Sequence, residues 1–109
     1  MIDLKNPDLK KADWEVDFYS RPVIDENGKK RWELLITSTN NFKNKKTFKW
    51  EKMCPASTVN SIWLKDALEE AINDAKTEGW DTPKIMRCWR SSMKTMIKRA
   101  ADQMGIELI

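Results

Sequence analysis

Residues 14–38 read WEVDFYSRPVIDENGKKRWELLITS, and this stretch decides the fold. Large apolar and polar residues alternate in both of its halves, with apolar side chains at Trp14, Val16, Phe18, Trp32, Leu34 and Ile36. An alternation with a period of two is typical of a half-buried β-strand. The DENG segment at 25–28 between the two runs is a turn signal. The stretch therefore predicts an antiparallel hairpin with one apolar face.

The apolar faces also predict the register of this hairpin. A two-residue loop over 27–28 would put the apolar rows of the two strands on opposite faces. A three-residue loop over 26–28 keeps both rows on one face and places Phe18 opposite Ile36. We expect the second register, because a slip of one residue turns every side chain to the other face. It requires a left-handed backbone at Gly28, in a G1 bulge.

The next part of the chain predicts a third strand and a helix. Residues 46–52 alternate around Phe48 and Trp50 and extend the hairpin into a three-stranded antiparallel meander. Ser57 is a good N-cap, and a helix is predicted from there to about Thr77. Its apolar face consists of Leu64, Ala67, Leu68, Ala71, Ile72 and Ala75.

The end of the chain predicts a strand over 84–89 and a helix over 91–104, closed by Gly105 after its C-cap. The core stripe of this helix is Met93, Met96, Ile97, Ala100 and Met104. Residues 106–109 are a candidate last strand, parallel to 84–89 through a right-handed crossover. The predicted fold class is α/β with a mixed sheet, in which the antiparallel meander precedes α-β-α. Residues 1–12 predict a flexible lead-in, and 13–109 predict one domain.

Composition excludes several classes of site. The 109 residues contain no histidine, which rules out Ser-His-Asp and Cys-His arrangements and zinc sites that use histidine. Cys54 and Cys88 are far apart and follow no metal-binding spacing, so we expect free thiols in a reducing compartment. No cofactor is predicted. No apolar run is long enough to span a bilayer, and none resembles a signal peptide, so no membrane partner is expected.

Charge is strongly segregated along the chain although the net charge is only +3. Residues 27–52 carry eight basic and two acidic groups, and residues 82–99 carry six basic groups and no acidic one. If these two segments meet in the fold, they form a patch that attracts phosphate. The alternative is two solvated faces that never meet.

The predicted second helix carries a basic ridge, because Arg90, Lys94 and Lys98 recur at every fourth position. Arg87 precedes it on the strand, and Lys49 belongs to the other basic segment. Such a ridge is suited to phosphate contacts, although an ordinary solvated helix face has the same pattern. We take these five residues as candidate RNA-phosphate contacts.

Tryptophans lie beside basic residues at 30–32, 48–50 and 89–90, and rings beside cations are what single-stranded RNA sites require. The predicted register nevertheless turns Trp32 and Trp50 toward the core. Trp63 does not fit the apolar face of its helix, so either the first turns are buried on both sides or Trp63 contacts a partner. A second hypothesis follows, in which the chain is a protein-interaction module anchored by Trp63 and Trp89.

Asp17 and Glu33 lie on the polar face of the hairpin, where the predicted register puts Arg21 opposite Glu33. A cross-strand ion pair there contributes about 0.2–1 kcal/mol. The alternative is a metal-dependent nuclease of the restriction-endonuclease type, which places acids on adjacent strands followed by a lysine. Leu35 stands where that lysine is expected, so one group of metal-assisted hydrolysis is missing.

Four motifs occur in one order: WEVDFYSRP at 14–22, WELLI at 32–36, CP at 54–55 and NSIWL at 60–64. In this order the chain resembles the chloroplast and cyanobacterial translation factors for a photosystem I reaction-centre subunit. The resemblance covers about residues 14–107. It implies binding of single-stranded or leader RNA in post-transcriptional or translational control. We expect this binding to be non-catalytic, with Tyr19 and Arg21 at the recognition face.

The chain departs from that family at two places. A Phe-Arg-Pro-Gln stretch is expected before the last helix, and residues 89–92 read WRSS instead. Family members are also more than twice as long, so a protein partner is an option for supplying the second domain. The resemblance implies the cytoplasm of a cyanobacterium or of a virus-infected host, or the chloroplast stroma. The absence of a visible transit peptide favours the cytoplasm.

Overall fold

The hairpin predicted at 14–38 forms the centre of a five-stranded mixed sheet. The computed structural model describes residues 11–24, 26, 28, 30–39 and 47–109. Its elements are β1 Trp14–Ile24, β2 Lys30–Ser38, β3 Lys49–Cys54, α1 Ser61–Thr77, β4 Ile85–Cys88, α2 Ser91–Gln103 and β5 Glu107–Leu108. A short 3₁₀ helix, Ala56–Thr58, precedes α1. The predicted α/β class, the meander and the final strand are confirmed.

The strands lie in the order β3-β2-β1-β4-β5. β1 pairs antiparallel with β2, which pairs antiparallel with β3. On its other side β1 pairs parallel with β4, and β4 pairs parallel with β5. Parallel strands need crossover connections: α1 lies on the connection from β3 to β4, and α2 lies on the connection from β4 to β5. β1 is therefore the strand that joins the meander to the helical half of the domain.

The hairpin register differs from the prediction by two residues over most of β1. Phe18 lies opposite Leu34 rather than Ile36, and the register shifts between Ser20 and Ile24. A shift of two leaves every side chain on its predicted face, because the strand period is two. Gly28 has φ +76°, the left-handed backbone that the turn requires, and the rest of the predicted loop lies outside the described residues.

Both helices cover one face of the sheet. The core joins the apolar rows of the strands to the buried faces of α1 and α2, and α1 buries the six residues predicted from its pattern. Ile97, Ala100 and Ala101 are the buried residues of α2, and its methionines lie half-buried at the margin. The opposite side of the sheet, here called the open face, carries Glu15, Asp17, Tyr19, Arg21, Arg31, Glu33, Leu35, Thr37, Lys49, Glu51, Met53, Ile85 and Arg87. None of the described elements covers it.

The start of α1 corrects one prediction and supports another. Ser57 does not cap α1, because the chain first makes the 3₁₀ turn, and the N-cap is Asn60. The Asn60 side-chain oxygen accepts a hydrogen bond from the Trp63 backbone N–H at 2.7 Å. Trp63 stacks on Phe18 with ring centroids 5.7 Å apart. This contact supports burial of the first turns on two sides.

The end of α2 follows the prediction at Gly105. Its φ of +71° is left-handed, and the N–H of Ile106 donates to the carbonyl of Ala101 at 3.0 Å. This is the Schellman arrangement that glycine favours. The predicted lead-in at 1–12 lies outside the described residues except for Lys11 and Ala12, and Ala12 packs against the core.

Phe18→Ala is expected to destabilise the fold by about 3–5 kcal/mol, because it removes a large buried ring from the core. Phe18 is fully buried and contacts Trp32 and Trp63. Chemical denaturation measures the free energy of unfolding. Ile62→Ala is the control, since Ile62 is 72% exposed and its loss should change stability by less than about 0.5 kcal/mol. Equal effects of the two changes would contradict this core.

Asn60→Ala is expected to cost about 1 kcal/mol through loss of the helix cap. Ser57→Ala should change stability by less than about 0.5 kcal/mol, because Ser57 is exposed and lies before the helix. The same denaturation experiment compares the two. A larger loss in Ser57→Ala would place the cap where the sequence alone predicts it.

Candidate nucleic-acid interface

The two basic segments of the chain reach the same face of the sheet from opposite sides. Lys49, Thr37, Glu15 and Arg87 form one row across β3, β2, β1 and β4. Three strand spacings separate Lys49 from Arg87, which is about 14 Å. Acidic side chains lie between the cations, so the open face has mixed charge. The described residues of this face therefore do not form a continuous basic patch.

Glu33 is the buried acid of the open face, only 5% exposed. The Tyr19 hydroxyl donates a hydrogen bond to Glu33 Oε1, and Arg21 Nη1 lies 3.2 Å from Glu33 Oε2. Tyr19, not Arg21, is the residue directly opposite Glu33 in the register. The predicted Arg21–Glu33 ion pair is present all the same, because the long arginine side chain reaches across diagonally. The pKa of Tyr19 is raised above its usual 10.0. The hydrogen bond to Glu33 is the largest cause, and burial of the tyrosine is the second.

Arg90 reaches the same cluster from the start of α2. Its Nε donates to Asp17 Oδ1 at 2.8 Å, and its guanidinium carbon lies 5.0 Å from the centroid of the Tyr19 ring. These contacts form one continuous set, here called the Tyr19 cluster. Its members are Asp17, Tyr19, Arg21, Glu33 and Arg90. It extends from β2 across β1 to the turn between β4 and α2.

Trp89 adjoins this cluster and is 72% exposed. The other five tryptophans are buried or half-buried, as predicted for Trp32 and Trp50. Cys88, the residue before Trp89, donates from Sγ to the carbonyl of Arg90 at 3.3 Å and tightens the turn. Burial raises the pKa of this thiol, so the thiol form is favoured. An exposed ring beside an oriented arginine can accept a stacked base or the apolar side chain of a partner.

The remaining cations of α2 are exposed. Lys94 lies near the turn and influences Cys88 electrostatically, whereas Lys98 pairs with Asp102 at 2.9 Å. Arg87 pairs with Asp13 at 3.0 Å. The predicted ridge is therefore divided, because Arg90 turns to the open face while Lys94 and Lys98 stay on the helix.

The structure joins Tyr19, Arg21 and Arg90 through contacts with Glu33 and Asp17, and Trp89 precedes Arg90 at the same turn. Lys94 and Arg87 lie on the two elements that flank this turn. Lys98 lies one turn farther along α2, and Lys49 lies across the sheet. Trp63 is on the opposite side, stacked within the helical layer. Sequence reasoning missed Asp13 as the partner of Arg87, and no local signal connects two residues so far apart in the chain.

Sequence reasoning also missed a cleft of about 420 Å³ between the start of α1 and α2, on the helical side of the domain. It is lined by Val59, Asn60, Ser61, Ser92, Thr95, Met96 and Arg99. One lining residue, Arg99, belongs to the second basic segment. That membership is the one sequence feature that points to the cleft.

Asp17 and Glu33 lie on adjacent strands of one face, as the nuclease alternative requires. Each of them is already held by an arginine, however, and Glu33 also accepts from Tyr19. Across the described ranges, no three His, Cys, Asp or Glu side chains come together to hold a metal ion. The geometry therefore gives that alternative no support.

Comparison with known proteins shows which family the chain belongs to. A family model described as "RNA-binding protein Tab2/Atab2 N terminal" matches residues 13–109. The chain belongs to this family. It is 35% identical over 97 residues to "Protein TAB2 homolog, chloroplastic" of Arabidopsis thaliana. The aligned stretch covers 89% of this chain and 24% of that protein. It is 34% identical over 97 residues to the protein of the same description in Zea mays, at 89% and 23% coverage.

These matches confirm the resemblance seen in the sequence motifs. The chain spans about a quarter of the length of the two plant relatives, and it corresponds to the N-terminal domain of the family. Among the described residues, no helix combines the length and apolar character needed to cross a membrane.

Tyr19 is expected to ionise above pH 10.0 in the folded protein, because ionisation breaks its hydrogen bond and places a second negative charge beside Glu33. The stability that this contact contributes is present below the unfolded pKa and is lost as pH rises through the folded pKa. Tyr19 is the chain's one tyrosine, so tyrosinate absorbance during a pH titration reports it alone.

Glu33→Gln should lower the midpoint of this titration toward the value in denaturant, because the negative charge is gone. Glu51→Gln removes the same charge from the same face and should leave the midpoint unchanged. A wild-type midpoint equal to that of the unfolded chain would contradict the Tyr19–Glu33 contact.

Proposed function

We propose that this domain binds single-stranded RNA at the turn between β4 and α2, without catalysis and without a cofactor. The observation that carries the proposal is the exposed Trp89 next to Arg90, in a domain whose other tryptophans pack against the core. Leaving a large ring in water gives the fold no burial energy. A ligand that stacks on the ring would recover that energy.

The chemistry of the site suits an unpaired nucleotide. A base can stack on Trp89, while Arg90 and Lys94 are available for phosphates; stacking is worth about 1–3 kcal/mol per base. The first turn of α2 contains no acidic residue, and the side chain of its N-cap residue, Arg90, makes no capping hydrogen bond to the helix. The positive end of the helix dipole therefore adds to the attraction for phosphate. Arg87, Lys98, Lys49, Arg21 and Tyr19 would extend the contact surface on either side.

Membership of a family of RNA-binding proteins supports the same conclusion, and both plant relatives are described as chloroplastic. We infer a role in post-transcriptional or translational control linked to photosynthesis genes, with a leader RNA as target. The corresponding setting is a photosynthetic cell: the cytoplasm of a cyanobacterium or of its virus-infected form, or the chloroplast stroma. A protein is a further proposed partner beside RNA.

A protein-interaction module is the second candidate, and the exposure of Trp89 favours it as well. Interfaces commonly use an exposed tryptophan as an anchor. The anchor would be Trp89 rather than Trp63, whose ring is already stacked on Phe18. Salt dependence separates the two candidates, because phosphate binding weakens steeply as salt rises and an aromatic anchor does not.

Binding of a fluorescent, unstructured RNA oligonucleotide is expected to fall as salt rises. Trp89→Ala should weaken it by about 1–3 kcal/mol, the worth of one stacked base. The triple change Arg90→Ala/Lys94→Ala/Lys98→Ala should lower the slope of log K against log salt by about 2, at about 0.7 per lost phosphate contact. Fluorescence anisotropy at several salt concentrations measures both.

The matched control is Lys52→Ala/Lys65→Ala/Lys76→Ala, which removes three charges from β3 and α1, away from the turn. Lys52 and Lys65 make only exposed ion pairs, with Glu70 and Glu69, so the fold should tolerate these changes. Equal losses in the two triple variants would show attraction by net charge without a site. Absence of salt-dependent binding in the wild type would overturn the proposed function.

A further inference from the structure

The guanidinium of Arg90 is held on two sides. Asp17 accepts from Nε at 2.8 Å, and the guanidinium carbon lies over the Tyr19 ring, 5.0 Å from its centroid. Among the described residues these are its contacts, so the edge that carries Nη1 and Nη2 remains available. The side chain is 53% exposed. Two N–H groups side by side on a planar cation match the oxygens of a phosphate.

Tyr19 in turn is held in place by its own hydrogen bond. Its hydroxyl donates to Glu33, and Glu33 is held by Arg21 at 3.2 Å and is almost fully buried. The ring under Arg90 is thus anchored to the neighbouring strand β2. Asp17, the other support, lies on β1 itself and is only 24% exposed.

We propose that Asp17, Tyr19 and Glu33 are positioning residues that orient Arg90, so that its free Nη edge receives an RNA phosphate beside Trp89. This inference rests on the proposed function and deepens it. The carboxylates of Asp17 and Glu33 repel RNA by charge alone, but this arrangement gives them a role in binding it. Both act through Arg90 and touch no ligand.

The physical reason is preorganisation. A free arginine side chain loses about 2 kcal/mol of rotamer entropy when a ligand immobilises it. Arg90 is ordered by Asp17 and Tyr19 before RNA arrives, so less is lost on binding. Asp17 uses Nε, on the side away from the free edge, and therefore leaves the phosphate position open.

Removal of Asp17 distinguishes positioning from simple charge repulsion, because the two effects have opposite signs. Asp17→Ala is compared with Glu51→Ala, which removes a carboxylate from the same cross-strand row on β3. RNA anisotropy is measured over a series of salt concentrations. We expect Asp17→Ala to weaken binding about threefold to tenfold, the loss of part of one charge-assisted hydrogen bond. Its salt slope should fall by about 0.7, one phosphate contact on a single strand.

Glu51→Ala should leave RNA affinity unchanged or slightly higher. Asp17→Asn keeps a hydrogen-bond acceptor for Nε and should restore most of the salt slope. Arg90→Lys keeps the charge but loses the planar fork, and should match Asp17→Ala. The double variant Asp17→Ala/Arg90→Lys should bind no more weakly than either single one, because both changes disable one contact.

Binding by Asp17→Ala that is as tight as that of Glu51→Ala, with an unchanged slope, would overturn the inference and leave the proposed function intact. Additive losses in the double variant would overturn it as well. Absence of salt-dependent binding in the wild type would overturn the proposed function, and this inference with it. Arg90 lies outside the core, so the Arg90→Lys variant should fold. It therefore remains a valid test if an Asp17 variant folds poorly.

Discussion

The burial of one side of β1 is the constraint on which the rest of the structure depends. Trp14, Val16 and Phe18 are fully buried beneath both helices. Because successive side chains of a strand point to opposite faces, this burial turns Glu15, Asp17 and Tyr19 onto the open face. The same strand receives β2 on one side and β4 on the other. The core of the domain thereby also sets the positions of the residues proposed to bind RNA.

The charge arrangement follows from this geometry. Three arginines each contact a carboxylate at the centre of the sheet. Arg21 contacts Glu33 of β2, Arg90 contacts Asp17 of β1, and Arg87 contacts Asp13, the residue just before β1. The pairs of Arg87 and Arg90 are largely exposed and contribute little to stability, so their orientation of the arginines matters more than their energy. The cations of α2 are exposed, and Lys98 pairs with Asp102 of its own helix. Under the proposed function, α2 attracts RNA from a distance and the open face contacts it at short range.

The aromatic residues divide between structure and surface. Trp14 stacks with Phe48, and Phe18 contacts both Trp32 and Trp63, so these rings hold the helical layer against the sheet. Trp89 lies where β4 ends and α2 begins, beyond the cover of either helix. Its position at that turn leaves the ring in solvent, beside the arginine that the Tyr19 cluster orients.

The sequence by itself determined which residues alternate, which helix faces are apolar and where glycine ends a turn or helix. These are local properties, and the faces of β1 and β2, the buried side of α1 and the backbone at Gly28 and Gly105 were all predictable. Only the tertiary structure decided the two-residue shift in the hairpin, the pairing of β4 with β1 and the contact of Arg90 with Asp17. Pairings between distant segments depend on how the whole core packs, and no short pattern encodes them. The basic ridge and the acidic pair of β1 and β2 were each visible separately, but the separation of Arg90 from the ridge to contact Asp17 was not.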